Sequence, residues 1–155
     1  MALHEQIQGL IEAVGPQVEA VQAVGQTGDT EWAVMFDTDT TVMLDLVTEQ
    51  QKLVLSIDLG RPAQESRLAT YETMLAYNVL WQETGGVKMG LGGTNGRLVQ
   101  MFELNTAGLD LDLLARVLEG FVAKALVWRE QIAQGAGSAE ALPLPNLMRE
   151  MFIRG

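Results

Sequence analysis

The spacing of hydrophobic residues along the chain alternates between a helical period near 3.6 and a strand period of two. A first helix is predicted to end at Gly15-Pro16, because the apolar side chains before it recur three or four residues apart. These side chains are Leu3, Ile7, Leu10 and Val14. Residues 17–28 are ambiguous between a further helical turn and a loop.

Three stretches of strict alternation follow, over residues 32–36, 42–46 and 53–59. A period of two places alternate side chains on opposite faces of a sheet. The short polar segments between the stretches suit tight connections, so the three strands are predicted to form antiparallel hairpins. Gly60-Arg61-Pro62 ends the alternation.

The second half of the chain predicts two helices with two strands between them. A second helix is predicted over residues 66–83, stopping at Gly85-Gly86. Strands over 87–91 and 98–104 are joined through Asn95-Gly96, a strong hairpin signal. A third helix is predicted from Asp110 to about Gln134. The order α-β-β-β-α-β-β-α predicts an α+β fold in which a twisted antiparallel sheet packs with helices.

Domain organisation follows from length and local composition. The 155 residues suffice for one domain, which we assign to residues 1–134. Residues 135–155 are predicted to be a Gly/Ala/Pro-rich linker followed by a short apolar segment. The N-terminal residues lack the basic region and cleavage site of a signal peptide, and no apolar run is long enough to span a bilayer. We therefore expect a cytoplasmic protein.

The charge balance and the rarity of reactive side chains exclude several function classes. A net charge of −10 without clustered bases disfavours binding to nucleic acid or anionic membranes. The chain has no cysteine and one histidine, His4, which we expect to be a solvated surface side chain. The glycine-rich stretch 85–96 lacks the spacing of a phosphate-binding loop. We therefore predict no catalytic residue, metal site or cofactor, and a protein that is not an enzyme.

The second helix is unusually rich in apolar side chains. Two neighbouring seams, together roughly 200° wide, exceed the stripe with which a surface helix covers a core. One seam contains Leu68, Tyr71, Leu75 and Val79, and the other contains Met74, Tyr77 and Trp81. One seam can cover the sheet, while either a two-fold mate or another part of the same chain covers the other.

The outer positions of the predicted strands are also apolar where a solvated sheet face is normally polar. Met35, Met43 and Val54 are three of these positions. Methionine is common on permissive binding surfaces because it is flexible and polarizable. Either a helix covers this face or the face binds a partner.

The sequence resembles the class I type III secretion chaperones of the Tir-chaperone (CesT/SycE) kind. The resemblance rests on MLAYN at 74–78, then GGVKMGL, RLVQMFEL and LARVLEGFVAKALVWREQI, and it covers about residues 3–133. Matching core positions are Leu75, Asn78, Gly86, Phe121, Ala125 and Trp128.

The resemblance implies a bacterial cytoplasmic homodimer that binds the N-terminal segment of a secreted effector and keeps it soluble and secretion-competent. It implies a dimer interface at Met74, Tyr77, Trp81, Val87 and Met89. Effector contacts are expected at Met35, Met43 and Val54. Contacts with components of the secretion apparatus stay open, and the alternative is a regulatory or stress-associated binding domain of the same fold.

Overall fold

The structure, a computed structural model, describes residues 2–135. The apolar end of the chain and all of the predicted linker except Gly135 therefore lie outside the described residues. None of the helices within residues 2–135 combines the length and the hydrophobicity that a membrane-spanning segment needs.

The described part of the chain contains three α-helices, six strands and two short 3-10 helices, Thr48–Gln50 and Gln64–Ser66, and the α-helices and strands are the main elements. In sequence order they are α1 (Leu3–Gln17), β1 (Ala23–Gln26), β2 (Glu31–Asp37), β3 (Thr40–Val47), β4 (Lys52–Gly60), α2 (Arg67–Val79), β5 (Lys88–Leu91), β6 (Leu98–Asn105) and α3 (Leu111–Ala133). The strand order in the sheet is β1-β2-β3-β4-β6-β5. The β1–β2, β2–β3, β3–β4 and β5–β6 pairs are antiparallel, which confirms the predicted α+β class.

Two boundaries and one strand differ from the sequence-based prediction. Residues 23–26 form β1, which pairs along β2 although its own pattern, AVGQ, carries no alternation. Helix α1 continues to Gln17, with Pro16 inside its last turn. Helix α2 ends at Val79, four residues before the predicted end, because Leu80 leaves the helical conformation and residues 80–86 form consecutive turns.

The chain forms two compact units. The first contains Met1–Ile57 and Phe102–Val122. Its β2, β3 and β4 pair Trp32 with Leu44 and Leu44 with Leu55, all of them buried. Ile7 and Ile11 of α1 are also buried in this unit. Burying each large aliphatic side chain contributes about 1.5–3 kcal/mol relative to leaving it exposed, so this row of side chains holds the unit together.

Within the described part of the chain, the second unit contains Asp58–Met101 and residues 123–135. Tyr77 of α2 and Trp128 of α3 make an edge-to-face contact, with ring centroids 5.2 Å apart and planes at 87°. This is the arrangement that aromatic quadrupoles favour. Met74 and Leu98 are buried in the same unit, so α2 turns its Met74/Tyr77 seam toward the interior.

Candidate functional site

One face of the first unit's strands is apolar at its centre and open to solvent. The register places Ala33 beside Met43 and Met43 beside Ser56. Met35 and Met43 each expose 38% of their surface, and Val54 is half-buried. No described element covers the two methionines, so the alternative of a covering helix does not hold for them. We call Ala33, Met35, Met43 and Val54 the open sheet face.

Charged side chains border this apolar centre. Glu31 lies beside Asp45, and Asp45 lies beside Val54. At another part of the border, Lys52 Nζ lies 2.8 Å from Glu103 Oε2. An apolar patch with a polar border is typical of a surface that contacts another molecule.

A second apolar surface lies along α2. Leu68, Leu75 and Val79 are 71%, 68% and 75% exposed, and they lie on the helix side opposite Met74 and Tyr77. Trp81 in the following turn and Leu91 at the end of β5 are also largely exposed. We call Leu68, Leu75, Val79, Trp81 and Leu91 the α2 surface.

The α2 surface contains an apolar cavity of about 190 Å³. The residues that line it are Tyr71, Met74, Leu75, Met89, Gly90, Leu91 and Leu98. None of them is a carboxylate, histidine or lysine, so the cavity offers no acid–base pair. A cavity of this size accommodates a benzene-sized apolar group, which fits an inserted side chain.

The five predicted interface residues differ in their exposure to solvent. Met74, Tyr77, Val87 and Met89 are buried within the single chain, whereas Trp81 is exposed. The sequence could not tell which seam of α2 faces inward, because both are apolar. Four of the five predicted interface residues therefore lie beneath the surface, and the exposed side chains next to them are Leu68, Leu75, Val79 and Leu91. Contact of the five with a second chain stays a prediction.

A cluster of charged side chains, Asp58, Arg97 and Arg129, lies at the hairpin loop between β5 and β6 in the second unit. Arg97 Nε lies 2.6 Å from Asp58 Oδ2, and Arg129 Nε donates to the Asp58 carbonyl oxygen at 2.9 Å. Burial alone would raise the pKa of Asp58. The bonds from Arg97 and the Gly60 N–H, with the charges of Arg97 and Arg129, nevertheless lower that pKa overall.

His4 is less solvated than the sequence suggests. Its Nε2 lies 2.6 Å from the Asp29 carbonyl oxygen, and its ring centroid is 5.5 Å from that of Trp32. The side chain therefore connects α1 to β2 in the first unit. This arrangement offers packing and one hydrogen bond, and no second histidine exists to complete a metal-binding pair.

Tyr77 on α2, which is buried, and Lys124 on α3, which is half-buried, have shifted pKa values without forming a reactive pair. Burial raises the pKa of Tyr77 to about 12. Burial also lowers the pKa of Lys124, whose Nζ donates to the Thr84 carbonyl oxygen at 3.3 Å. Lys124 thereby ties the turn after α2 to α3, which is a structural role.

These features define a small α+β protein whose open surfaces are apolar and suited to binding polypeptides. The model of the Tir chaperone protein (CesT) family matches residues 28–129. The protein therefore belongs to the Tir chaperone protein (CesT) family, and the predicted resemblance to type III secretion chaperones is confirmed.

Solved structures share this fold at low sequence identity. The ExsC–ExsE complex contains a chain with TM-score 0.72 and 16% identity, covering 85% of this chain and 97% of that one. The HopA1–SchA chaperone–effector complex gives TM-score 0.65 and 17% identity, covering 80% and 93%.

The Yersinia pestis type III secretion chaperone SycH, in complex with a stable fragment of YscM2, is a further similar structure. Its TM-score is 0.58 and its identity 23%, covering 76% of this chain and 95% of that one. No curated protein sequence matches this chain. At such identities the structural likeness establishes the fold, and the family model establishes the class.

Proposed function

We propose that the protein is a cytoplasmic bacterial type III secretion chaperone. It acts as a homodimer, binds the N-terminal chaperone-binding segment of an effector, and keeps that segment soluble and ready for secretion. It works by binding, without catalysis or a cofactor. The open sheet face carries the proposal, because it exposes methionines at the centre of an otherwise well-formed sheet.

The open sheet face suits an extended client segment. Alternate side chains of an extended peptide can pack on Met35, Met43 and Val54, while its polar groups meet the charged border. Methionine adapts to side chains of different shape at little cost. Support comes also from the HopA1–SchA structure, which is a chaperone–effector complex of the same fold.

The α2 surface suits a second copy of the chain. Exposed leucine and valine side chains along one helix favour burial against another apolar surface, and a two-fold mate supplies the same surface. The predicted interface residues Met74, Tyr77, Val87 and Met89 would support this contact from below, and Trp81 would take part directly. Residues 1–134 are the proposed folded domain, with 135–155 as an appended segment.

The client experiment uses the full chain in a bacterium with an active type III system. The tagged protein is captured, the bound polypeptide is identified, and its N-terminal segment is reconstituted with the purified chain. We expect the double substitution Met35→Lys, Met43→Lys to abolish binding. The double substitution Leu126→Lys, Val127→Lys is the matched control, since both side chains are comparably exposed on α3.

The alternative is a regulatory or stress-associated binding domain of the same fold. Capture of a regulator that is not secreted would favour that alternative, provided that its binding is unaffected by the Met35 and Met43 substitutions. Absence of any effector that binds the reconstituted chain would overturn the chaperone proposal.

A further inference from the structure

The α2 surface is bordered by two oppositely charged side chains, Arg61 and Glu72. Within residues 2–135 neither forms an ion pair: Arg61 Nη1 donates to the Asn95 carbonyl oxygen, at 2.9 Å, and Glu72 is exposed. Asp58 is already engaged by Arg97 at 2.6 Å. The single chain thus presents a cation and an anion next to an apolar surface.

Arg61 is held on the Tyr71 side of α2. Tyr71 Oη donates to the Gly96 carbonyl oxygen at 3.1 Å, and Tyr71 lines the apolar cavity. A Cβ added at Gly96 would lie 3.3 Å from both Arg61 Cδ and the Tyr71 hydroxyl. Arg61 and Tyr71 therefore flank the same residue of the hairpin loop, at the border of the cavity.

The exposed side chains of α2 itself, Leu68, Leu75 and Val79, form a strip along the helix, and Glu72 lies on the side of this strip opposite Tyr71. Successive residues of an α-helix point about 100° apart, which places Leu68, Leu75 and Val79 between the directions of Tyr71 and Glu72. The strip therefore has the Arg61 guanidinium along one border and the Glu72 carboxylate along the other. A two-fold axis that lies in the interface parallel to α2 brings Arg61 of each copy to the border where Glu72 of the other lies.

We infer that in the homodimer Arg61 of each protomer pairs with Glu72 of the partner subunit across the α2 surface. An isologous interface makes each such contact twice. This inference rests on the proposed homodimer and specifies its orientation. A second copy is the favoured occupant because the surface supplies both charges itself, whereas a client would have to supply each opposite charge.

The pair also addresses a physical difficulty of self-association. Each chain carries a net charge of −10, so two copies repel at long range. Two local attractive pairs beside the apolar contact offset part of this repulsion and disfavour a shifted alignment of the helices. Because the pairs lie at the border, their effect on the dissociation constant is moderate.

The test is a charge-swap series on the full chain, with the dimer dissociation constant measured by analytical ultracentrifugation. We expect Arg61→Glu or Glu72→Arg alone to weaken the dimer about tenfold, and the double variant to recover most of this loss. Arg116→Glu and Glu19→Arg are matched controls, because they make the same charge changes at exposed positions in the first unit. Circular dichroism checks that each variant folds.

The outcomes separate the inference from the proposed homodimer. A monomeric wild-type chain at all concentrations would overturn the homodimer and the pair with it. A dimer in which the two single effects simply add in the double variant would overturn the pair alone. Should Arg61→Glu fail to fold, the neutral series Arg61→Gln, Glu72→Gln and the double variant measures the same coupling, and zero coupling overturns the pair.

Discussion

The side-chain amide of Asn78 binds the backbone of Met89 as a neighbouring strand would. Its Nδ2 donates to the Met89 carbonyl oxygen at 2.7 Å, and its Oδ1 accepts from the Met89 N–H at 2.8 Å. Met89 lies in β5, the terminal strand of the sheet order. The last turn of α2 thus satisfies the backbone groups of an edge strand, which positions β5 beside the α2 surface.

The Asn78 contact predicts a specific stability loss. Asn78→Ala removes two partly buried hydrogen bonds and should lower the free energy of unfolding by about 2 kcal/mol. Urea unfolding measures this change. Asn78→Asp is the matched variant: it keeps the acceptor for the Met89 N–H but loses the donor, so it should also destabilise the protein. A change within experimental error for Asn78→Ala would contradict this role.

Burial of Tyr77 predicts sensitivity to alkaline pH. The pKa of Tyr77 is raised from 10.0 to about 12, so between these values the unfolded chain loses the phenolic proton while the folded chain keeps it. Stability should therefore be unaffected below pH 10 and fall as the pH rises toward 12. Each tenfold difference in proton affinity between the folded and unfolded chain corresponds to about 1.4 kcal/mol of stability.

Tyr77→Phe should remove this contribution, because phenylalanine keeps the ring contact with Trp128 but cannot ionise. Thermal unfolding from neutral to alkaline pH compares the two proteins. If both lose stability equally through this range, Tyr77 does not titrate as its burial requires.

The Asp58–Arg97 pair predicts a small acid-sensitive contribution. The folded-state pKa of Asp58 lies below its ordinary 3.8, so the carboxylate stabilises the fold above pH 3.8, and this contribution is lost as the pH falls through the folded value. Both side chains are nearly half exposed, so Asp58→Asn should cost less than about 1 kcal/mol at neutral pH. The difference between variant and wild type should disappear in acid. A difference that persists at low pH would indicate a packing effect instead.

Gly96 combines a left-handed backbone with a close approach. Its φ is +79°, and a Cβ there would press on Arg61 and Tyr71. Gly96→Ala should therefore cost more than the backbone strain alone, which is about 1–2 kcal/mol. Gly86→Ala is the matched control, because its φ is +88° with no neighbour within 4 Å of an added Cβ. Thermal unfolding should rank Gly96→Ala as the more damaging, and equal losses would mean that Arg61 and Tyr71 move aside freely.

The sequence predicts the strands better than the surfaces. Alternation over β2, β3 and β4 identifies both the strands and their buried sides, since the burial pattern of β3 follows the period of two. It misses β1, because AVGQ is placed by its pairing with β2 and not by its own pattern. The end of α2 is missed for a related reason: Trp81 continues the apolar spacing after the backbone has left the helix.

The candidate surfaces depend on contacts that sequence spacing does not encode. For the open sheet face, the alternation of Met35 and Met43 with more buried neighbours predicts which side of the sheet they occupy, but it leaves open whether a helix covers that side. For α2, both seams are apolar, so only the Tyr77–Trp128 contact reveals which one is inside. The position of Arg61 depends on its hydrogen bond to Asn95, 34 residues away in the sequence. No local sequence pattern predicts such a long-range contact.

The alternation along β3 has a consequence for how such a protein can diverge. Val42, Leu44 and Leu46 are enclosed, while Met43 and Asp45 between them are exposed, so replacements at the latter two positions leave the interior unchanged. Under the proposed function, such replacements alter the contacts with a client and leave the fold intact. Neighbours that retain the fold at 16% to 23% identity are compatible with that freedom.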